Sequence, residues 1–594
     1  MTSGAGADAA SRRWLPGLLV AGVAYLAVSL AIWWHVWVTG DPGHTLTCPC
    51  GDVAVQLWWL EWLPRALLHA HNPFYSNAQF ARFGGINAMM NTSLLLPAAV
   101  LAPVTLLFGP IASSNAANLV APVLTGIAAY ALAARFTTRA GARFVAGLAY
   151  AFSPFVMGNV DLGHLNLTML AYTPLVLLVG DRLLRGETSP VRAGVLLGAL
   201  TVAEALIGTE GIAITAGLVA FCLLGLAVVR REALVAAWRR LARSFAVAGA
   251  ICLVLLAYPA VEFFFGPARV RAPFWRTTAS LGVRQFLWPP PHVDAPIRSA
   301  MVAGYEGARG PGTQFLGLGI VLVVALGFLV VRRRGPYAVF GIAAACCLVV
   351  EANPLRALQS VPLLNDVVPV RFAIGTTLCL AVMLAMVLDG WLAPARRLPT
   401  AVRSRAGRPA TTLCGLACVA VALVPVAATY SIPFRVAPVE VPSWFTTAGT
   451  HVGAATAVLV VPFAWDSSDA AVVWQAESGL HLSLVGGFGY VPGADGRPAA
   501  QVSPLPDATL LQALSRGDLP STPSTRARLR ALLARWAPLE VVLIDRATRP
   551  SVRALLRAVL GTPGVEVDGA TTWSLRAGPS TASLGAPAAG QRRG

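Results

Sequence analysis

Residues 211–229 read GIAITAGLVAFCLLGLAVV, and this stretch decides the fold class. It contains no charged residue over 19 positions, which is about the length that an α-helix needs to cross the ~30 Å hydrocarbon core of a bilayer. The segment RREALVAAWRR follows immediately at 230–240. An apolar run that ends in clustered arginines is typical of a transmembrane helix that reaches the cytoplasmic surface.

The same pattern recurs along the chain, so we predict a polytopic α-helical membrane protein. Of its 594 residues, 56% are hydrophobic and 12% are charged, and the mean hydropathy is +0.66. Nucleic-acid binding is therefore the wrong interpretation of the net charge of +18. About eleven transmembrane helices are predicted near 14–38, 114–135, 143–157, 167–184, 191–207, 211–229, 245–261, 314–331, 337–350, 372–388 and 412–428.

Arginine-rich loops predict the orientation of these helices. RFTTRAGAR, DRLLRGETSPVR, VVRREALVAAWRR, VRRRG and APARRLPTAVRSRAGR should all be cytoplasmic. The first loop, the turn GNVDLGHLNL at 158–167 and the C-terminal region are then outside. The apolar segment NTSLLLPAAVLAPVTLLFG at 91–109 would break this parity if it crossed the membrane. Because Pro97 and Pro103 interrupt it, we interpret it as a re-entrant or interfacial outer helix.

The composition changes to a soluble pattern near residue 431. ATAVLVVPF and PLEVVLID are typical of buried strands, whereas TRARLRALLARW and RPSVRALLRAVLG are typical of amphipathic helices. The sequence thus predicts a transmembrane domain over 1–430, an extracytoplasmic α/β domain over 431–578 and a disordered tail over 579–594.

The first outer loop holds an unusual concentration of polar residues. It reads GDPGHTLTCPCGDVAVQLWWLEWLPRALLHAHNPF at 40–74. Carboxylates beside a membrane indicate function by default. GDVAVQLWWLEW also fits an amphipathic interfacial helix, which Asp52 would begin as its N-cap. Both interpretations of Asp52 stay open, and one residue can serve both.

These motifs resemble the GT-C superfamily of membrane glycosyltransferases that use polyprenyl-phosphate sugars. The resemblance rests on the first loop with GINAMMNTS, on AFSPF followed by GNVDLGHLNL, and on GTQFLGLGIVL. It covers roughly residues 14–389. WQAESGLHLSLVGGFGYVP at 474–492 is similar to an actinobacterial group of GT-C-like proteins, and the exclusive use of arginine among 45 basic residues indicates the same source.

The resemblance implies a catalytic aspartate in the first outer loop, which we match to Asp52. A second acid in relatives matches Asp161, and Asp41 is the alternative to Asp52, because the loop lacks an adjacent acidic pair. The predicted substrate-binding residues are Gln56, Trp58, Glu61, Asn91, His164, Glu210, Arg284 and Arg371. Asp161 and His164 are also explained by a polar turn, and Glu210 and Arg371 by interfacial ion pairs. The outer arginines near Arg284 fit either an anionic ligand or contact with lipid headgroups.

Cofactor chemistry remains open at this stage. His44, Cys48, Cys50 and Asp52 carry zinc-binding atoms, although CPC is not a zinc spacing. A disulfide between Cys48 and Cys50, or two free thiols, are the alternatives. No cofactor is required by the sequence, and a divalent cation, Mg²⁺ or Mn²⁺, would be the one to test.

The sequence predicts a multi-pass plasma-membrane glycosyltransferase. It would move a sugar from a polyprenyl phosphate to a cell-envelope glycan, lipid or protein on the outer face, with an aspartate as base. The alternative is a non-enzymatic membrane protein that flips, carries or binds polyprenyl-linked glycans. Such a transporter should place polar residues or discontinuous helices at the midplane.

Overall fold

The computed structural model describes residues 4–47, 52–161, 164–270, 283–288, 315–331, 333–352, 367–391, 408–464, 469–493, 496, 498–500 and 508–575. The chain is mostly helical. The helices that precede the predicted long outer loop are α1 Gly4–Ile32, α2 Trp34–Trp37, α3 Asp52–Leu68, α4 Leu95–Val100, α5 Ala102–Ala133, α6 Ala140–Ala151, α7 Pro154–Asp161, α8 Tyr172–Leu184, α9 Pro190–Ala205, α10 Thr209–Leu255 and α11 Ala257–Phe265.

The later helices include several apolar ones. They are α12 Val283–Leu287, α13 Leu318–Val330, α14 Arg334–Ala352, α15 Ala373–Trp391, α16 Arg408–Ala427, α17 Ser443–Thr446, α18 Ala470–Glu477, α19 Ala508–Arg516, α20 Pro523–Trp536 and α21 Pro550–Leu560. Short 3-10 turns cover Ala88–Met90, Leu165–Leu167, Pro369–Phe372, Ala448–His451 and Asp545–Ala547.

Among the described residues, five helical segments are long and apolar enough to cross a membrane, which identifies a membrane protein. They are Ala102–Ala133, Leu165–Leu184, Thr209–Leu255, Arg334–Ala352 and Pro369–Trp391. Ala140–Ala151 and Pro154–Val160, bent by 47° at their junction, make a sixth if they form one span. The predicted count of eleven stays a prediction, because several of the expected spans are shorter helices or share one helix.

Helix α10 contains the predicted span 211–229 and the first part of the predicted span 245–261, and it reverses at Arg230. There the backbone leaves helical geometry, with φ −148° and ψ 60°. Gly211, near the start of α10, contacts Glu204 at the end of α9. Ser244, 33 residues after Gly211, contacts Gly194, which lies ten residues before Glu204 in α9. A straight helix would carry Ser244 about 50 Å beyond Gly211. The chain therefore turns back at the arginines that follow the apolar run quoted above.

The chain also reverses at the end of the segment 91–109, which folds back against the following part of α5. Gly109 has φ 85° and ψ 165° inside α5, a left-handed conformation that favours glycine. The Thr105 and Ser113 hydroxyls are 2.7 Å apart, although eight residues of continuous helix would separate them by about 12 Å. This hairpin packs with α4 against α3. Its relation to the membrane stays the prediction made above.

The C-terminal layer, the described part of 431–575, contains a five-stranded mixed sheet. Its order is β10-β11-β9-β5-β6, with β5 parallel to β6 and β9, and β11 antiparallel to β9 and β10. The strands and helices that the sequence predicts at ATAVLVVPF, PLEVVLID, TRARLRALLARW and RPSVRALLRAVLG are present. The strands are β1 Thr45–Leu46, β2 Tyr75–Ser76, β3 Ile86–Asn87, β4 Ala437–Pro438, β5 Ala457–Val461, β6 Ser483–Leu484, β7 Tyr490–Pro492, β8 Pro498–Ala500, β9 Glu540–Ile544, β10 Val565–Val567 and β11 Ala570–Ser574.

The C-terminal layer shares one apolar core with α3. This core contains Trp58 and Leu60 of α3 together with Val458 and Val542 of the sheet. Helix α3 contacts α4 and α5 on one side and α18 on the other. The prediction that this helix is amphipathic, with one exposed face, is wrong, because nearly every residue of 53–66 is buried.

In the predicted long outer loop at 262–313, the structure describes residues 262–270 and 283–288. Arg269 donates to the Phe264 carbonyl at 2.6 Å. Arg271, Arg276, Arg298 and Arg309 lie outside the described residues, as do the predicted tail and the CPC motif.

Candidate functional site

The candidate site begins with Asp52, which is the first residue of α3. Its Oδ2 atom lies 2.9 Å from Nε2 of His164, and the two side chains are 32% and 6% exposed. This distance is short enough for an ion pair. The angles at Nε2 are not those of a hydrogen bond. Asp52 is thus accessible from one side while His164 is enclosed.

Asn159 fixes the orientation of His164. The His164 Nδ1 atom is 2.9 Å from Asn159 Oδ1, and Asn159 Nδ2 donates to the Phe155 carbonyl at 2.7 Å. Because the amide nitrogen of Asn159 is engaged, its oxygen accepts from Nδ1, which therefore carries hydrogen. A neutral ring would then present the Nε2 lone pair to the Asp52 carboxylate. The contact is attractive when His164 is doubly protonated.

Gln56 joins α3 to the same turn, one helical turn beyond Asp52. Its Oε1 atom accepts from the backbone N–H of Leu165 at 3.1 Å. The side chain is 1% exposed, and Nε2 has no hydrogen-bond partner among the described residues. Since Oε1 is used by Leu165, the amide presents a free donor beside Asp52.

Arg371 and Glu210 form an ion pair close to this cluster. Arg371 lies in the turn Pro369–Phe372, and Glu210 lies in the first turn of α10. Glu210 Oε1 also accepts from the backbone N–H of Val368 at 3.0 Å. Interfacial ion pairs are the alternative that the sequence leaves open for both residues. The structure pairs them with each other.

The charges around Asp52 set its ionisation. Burial raises the pKa of the Asp52 carboxyl, but His164 and, more weakly, Arg371 lower it by more. Its pKa therefore lies below the ordinary value, because the interactions with His164 and Arg371 favour the carboxylate over the neutral acid. Asp52 is ionised at neutral pH.

Several predicted residues lie elsewhere. Asp41 is exposed and makes a local turn, in which its carboxylate accepts from Gly43 N at 2.8 Å and contacts His44 Nδ1 at 2.9 Å. Arg284 is an exposed residue of α12. Asp161 ends α7, but its side chain lies outside the described residues. The structure thus brings together Asp52, Gln56, His164, Glu210 and Arg371.

Trp58, Glu61 and Asn91 join the first loop to other parts of the fold. Trp58 is fully buried and donates from Nε1 to Gln475 Oε1 at 2.8 Å. A ring with no exposed surface offers no face to a sugar, so we leave Trp58 out of the proposed site. Glu61 is buried against Arg65, and burial raises its pKa. Asn91 accepts from Tyr490 N at 2.7 Å.

Sequence reasoning missed Asn159, which the structure adds to the site. Asn159 belongs to the same GNVDLGHLNL turn as Asp161 and His164, and a polar residue near the end of an apolar helix was the available signal. Its bond to His164 spans five residues. The helix end at α7 creates this contact, so spacing alone did not indicate it.

A metal held by the protein alone would need several His, Cys, Asp or Glu side chains close together. No group of three His, Cys, Asp or Glu side chains in the described part of the chain could hold an ion. Glu210 is already paired with Arg371, and the Asp52 carboxylate contacts His164. Cys48 and Cys50 of the zinc hypothesis lie outside the described residues.

Solved structures with this architecture identify the fold. The chain matches the arabinofuranosyltransferase AftD from Mycobacteria with a TM-score of 0.59, at 15% identity over 96% of this chain. It matches the oligosaccharyltransferase AglB from Archaeoglobus fulgidus with a TM-score of 0.51, at 14% identity over 93% of this chain. The chain has a GT-C fold. The resemblance to GT-C glycosyltransferases inferred from the sequence is therefore confirmed at the level of the fold.

The GT-C match covers unequal parts of the two relatives. The chain spans 40% of the length of AftD and 72% of the length of AglB. No family model and no curated protein matches the sequence. The activity of the chain is therefore argued from its own residues.

Proposed function

We propose that this protein is a membrane glycosyltransferase that moves a sugar from a polyprenyl-phosphate donor to a cell-envelope acceptor. The observation that carries the proposal is Asp52, an ionised and partly accessible carboxylate 2.9 Å from His164 in a GT-C fold. His164 contacts this carboxylate and is itself held by Asn159. A carboxylate maintained in this way is suited to act on a substrate.

The donor class follows from charge and from the fold. Arg371 contributes positive charge near Asp52, and a guanidinium binds phosphate well. The AglB structure contains a dolichol-phosphate, and AftD is an arabinofuranosyltransferase. A lipid-linked sugar phosphate is therefore the donor class that we propose here.

Asp52 would act as the base. The acceptor hydroxyl oxygen forms a bond to the anomeric carbon of the sugar while the bond from that carbon to the phosphate oxygen breaks. The electron pair of the broken bond leaves with the polyprenyl phosphate, and the acceptor proton passes to Asp52. A carboxylate of low pKa is a weak base, but the acceptor proton becomes acidic as its oxygen bonds to carbon.

The neighbouring residues position the reacting groups. His164, held by Asn159, keeps the Asp52 carboxylate ionised and oriented. Arg371 would stabilise the leaving phosphate, and its pairing with Glu210 fixes its position. Gln56 is buried and would act by holding the turn at Leu165 in place through Oε1.

Membrane placement belongs to the same proposal. The arginine-rich loops predict that the site and the C-terminal layer face the outside of the plasma membrane. The acceptor would then be a glycan, lipid or protein of the cell envelope. Asp161 stays the second choice for the catalytic acid and Asp41 the third.

The proposal is tested by transfer from radiolabelled polyprenyl-phosphate sugars, offered as a panel to purified protein with envelope acceptors. Asp52→Asn keeps the size of the side chain and removes the base. We expect transfer to fall by about 10²- to 10⁴-fold. Asp518→Asn, at an exposed position of the C-terminal layer, is the matched control and should retain activity. Unchanged transfer by D52N overturns the assignment, and binding of donor without transfer by the wild type favours a carrier.

A further inference from the structure

A cavity lies at the end of the helix bundle opposite to the candidate site. It has a volume of about 730 Å³ and opens between α5, α8, α10 and α14. Arg230 lines it and lies 20 residues after Glu210 on α10, a distance of about 30 Å along the helix. The cavity is thus separated from the Asp52 site by about the thickness of a bilayer core.

The interior of this cavity is apolar. Leu177, Leu223, Leu226, Phe245 and Phe340 are among its lining residues. Such a surface excludes a free inorganic anion, whose hydration would be lost without compensation. The volume lies within the range of about 300–1,000 Å³ that is typical of ligand sites. The interior therefore fits hydrocarbon chains.

The rim of the cavity is positively charged. Arg230, Arg333 and Arg334 line it, and none of the three forms an ion pair with an acidic side chain of the described residues. Arg333 donates to the carbonyl of Arg135 at 3.0 Å. The Arg230 guanidinium lies beside Gly335, because a Cβ atom added to this glycine would be 3.0 Å from Arg230 Nε.

The acidic residue at the rim, Asp181, is paired with other arginines. Asp181 forms ion pairs with Arg135 at 2.7 Å and with Arg185 at 2.9 Å. Glu187 takes a second nitrogen of Arg135 at 2.6 Å. The three remaining arginines therefore give the rim an excess of positive charge that faces an apolar interior.

We propose that this cavity binds one anionic phospholipid of the cytoplasmic leaflet. The phosphate would bind Arg230, Arg333 and Arg334, and the acyl chains would enter the apolar interior. Basic pockets between transmembrane helices on the cytoplasmic side are suited to anionic headgroups. The proposal is independent of glycosyl transfer, because it concerns another face of the molecule.

Gly180 gives a sharp test of the apolar part. It lines the cavity, and a Cβ at this position would meet nothing within 4 Å. Gly180→Phe therefore fills the cavity without a steric conflict at Cβ. Gly249 also has open space around its Cβ and is not among the lining residues, so Gly249→Phe is the matched control.

The arginines give an independent test. The R230Q/R334Q pair removes two rim charges, while R239Q/R243Q removes two exposed charges of the same helix that do not line the cavity. Each rim arginine should contribute roughly 5-fold to retention of an anionic lipid, which makes about 25-fold for the pair.

The measurement is native mass spectrometry of the full-length protein, titrated with phosphatidylglycerol or phosphatidylcholine. We expect one phosphatidylglycerol to be retained in preference to phosphatidylcholine, with retention reduced by G180F and by R230Q/R334Q and unchanged in both controls. Equal retention of the two lipids, or equal retention by all variants, overturns the proposal. Displacement of the lipid by millimolar inorganic phosphate, with no effect of G180F, also overturns it and indicates a simple anion site.

Discussion

The ionisation of Glu477 should make the free energy of unfolding depend on pH. This residue ends α18, and its Oε1 accepts from the backbone N–H of Ile111 at 3.0 Å, just after the break at Gly109. Burial raises the pKa of Glu477 from 4.5 to about 7, although the bond from Ile111 opposes the change. The C-terminal layer is thereby attached to the hairpin of 91–109 through a carboxyl that binds a proton near neutrality.

The sign of the effect follows from proton counting. Between pH 4.5 and 7 the folded chain holds a proton on Glu477 that the unfolded chain has released. The free energy of unfolding therefore falls as the pH rises through this window. The difference between the two pKa values corresponds to about 3 kcal/mol, at about 1.4 kcal/mol per tenfold change. Above pH 7 this stabilisation is lost completely.

Glu477→Gln removes the titration while keeping an acceptor for Ile111 N. We expect thermal unfolding of the purified protein to occur at similar temperatures for the wild type and E477Q at pH 5. At pH 8 the variant should be more stable by about 3 kcal/mol, or about 6–12 °C if the unfolding unit has 150–250 residues. Glu440→Gln, at an exposed position, should follow the wild type. Parallel pH profiles for the wild type and E477Q would refute the reasoning.

Two further predictions concern the site and the helix packing. His164→Gln removes a charge that lowers the pKa of Asp52, so the acidic limb of the transfer rate should move to higher pH; an unchanged limb in pH–rate profiles would contradict the role of Asp52 as base. Gly147→Ala places a Cβ 2.0 Å from the Tyr25 hydroxyl and 2.6 Å from the Gly126 carbonyl. We expect a loss of about 1–3 kcal/mol in stability, whereas Gly141→Ala, with open space around it, should unfold at the wild-type temperature.

The sequence predicted local features of this fold well because they depend on short patterns. The apolar run at 211–229 and the arginines after it correctly predicted a helix and its end at Arg230. The buried strands near 457–461 and 540–544 were similarly indicated by short apolar runs. Each of these features is decided by residues within one element.

Features that join distant segments could not be predicted in this way. Helix α3 has the composition of an interfacial helix, but Gln475 lies 417 residues beyond Trp58 in the chain and covers its second face. The site follows the same principle. Asp52, His164, Glu210 and Arg371 were each predicted as polar residues near the outer surface, but their pairing depends on how the helices pack.

Helix α3 connects the candidate site to the C-terminal layer. Asp52 at its first turn contacts His164, and Trp58, six residues later, is bonded to Gln475. Six residues of helix extend about 9 Å, so a rigid element links the carboxylate to the sheet. Gln475 also donates to the carbonyls of Ala78 and Leu482 at 2.8 Å each. The packing of the C-terminal layer therefore fixes where Asp52 lies, which makes the layer a structural part of the site.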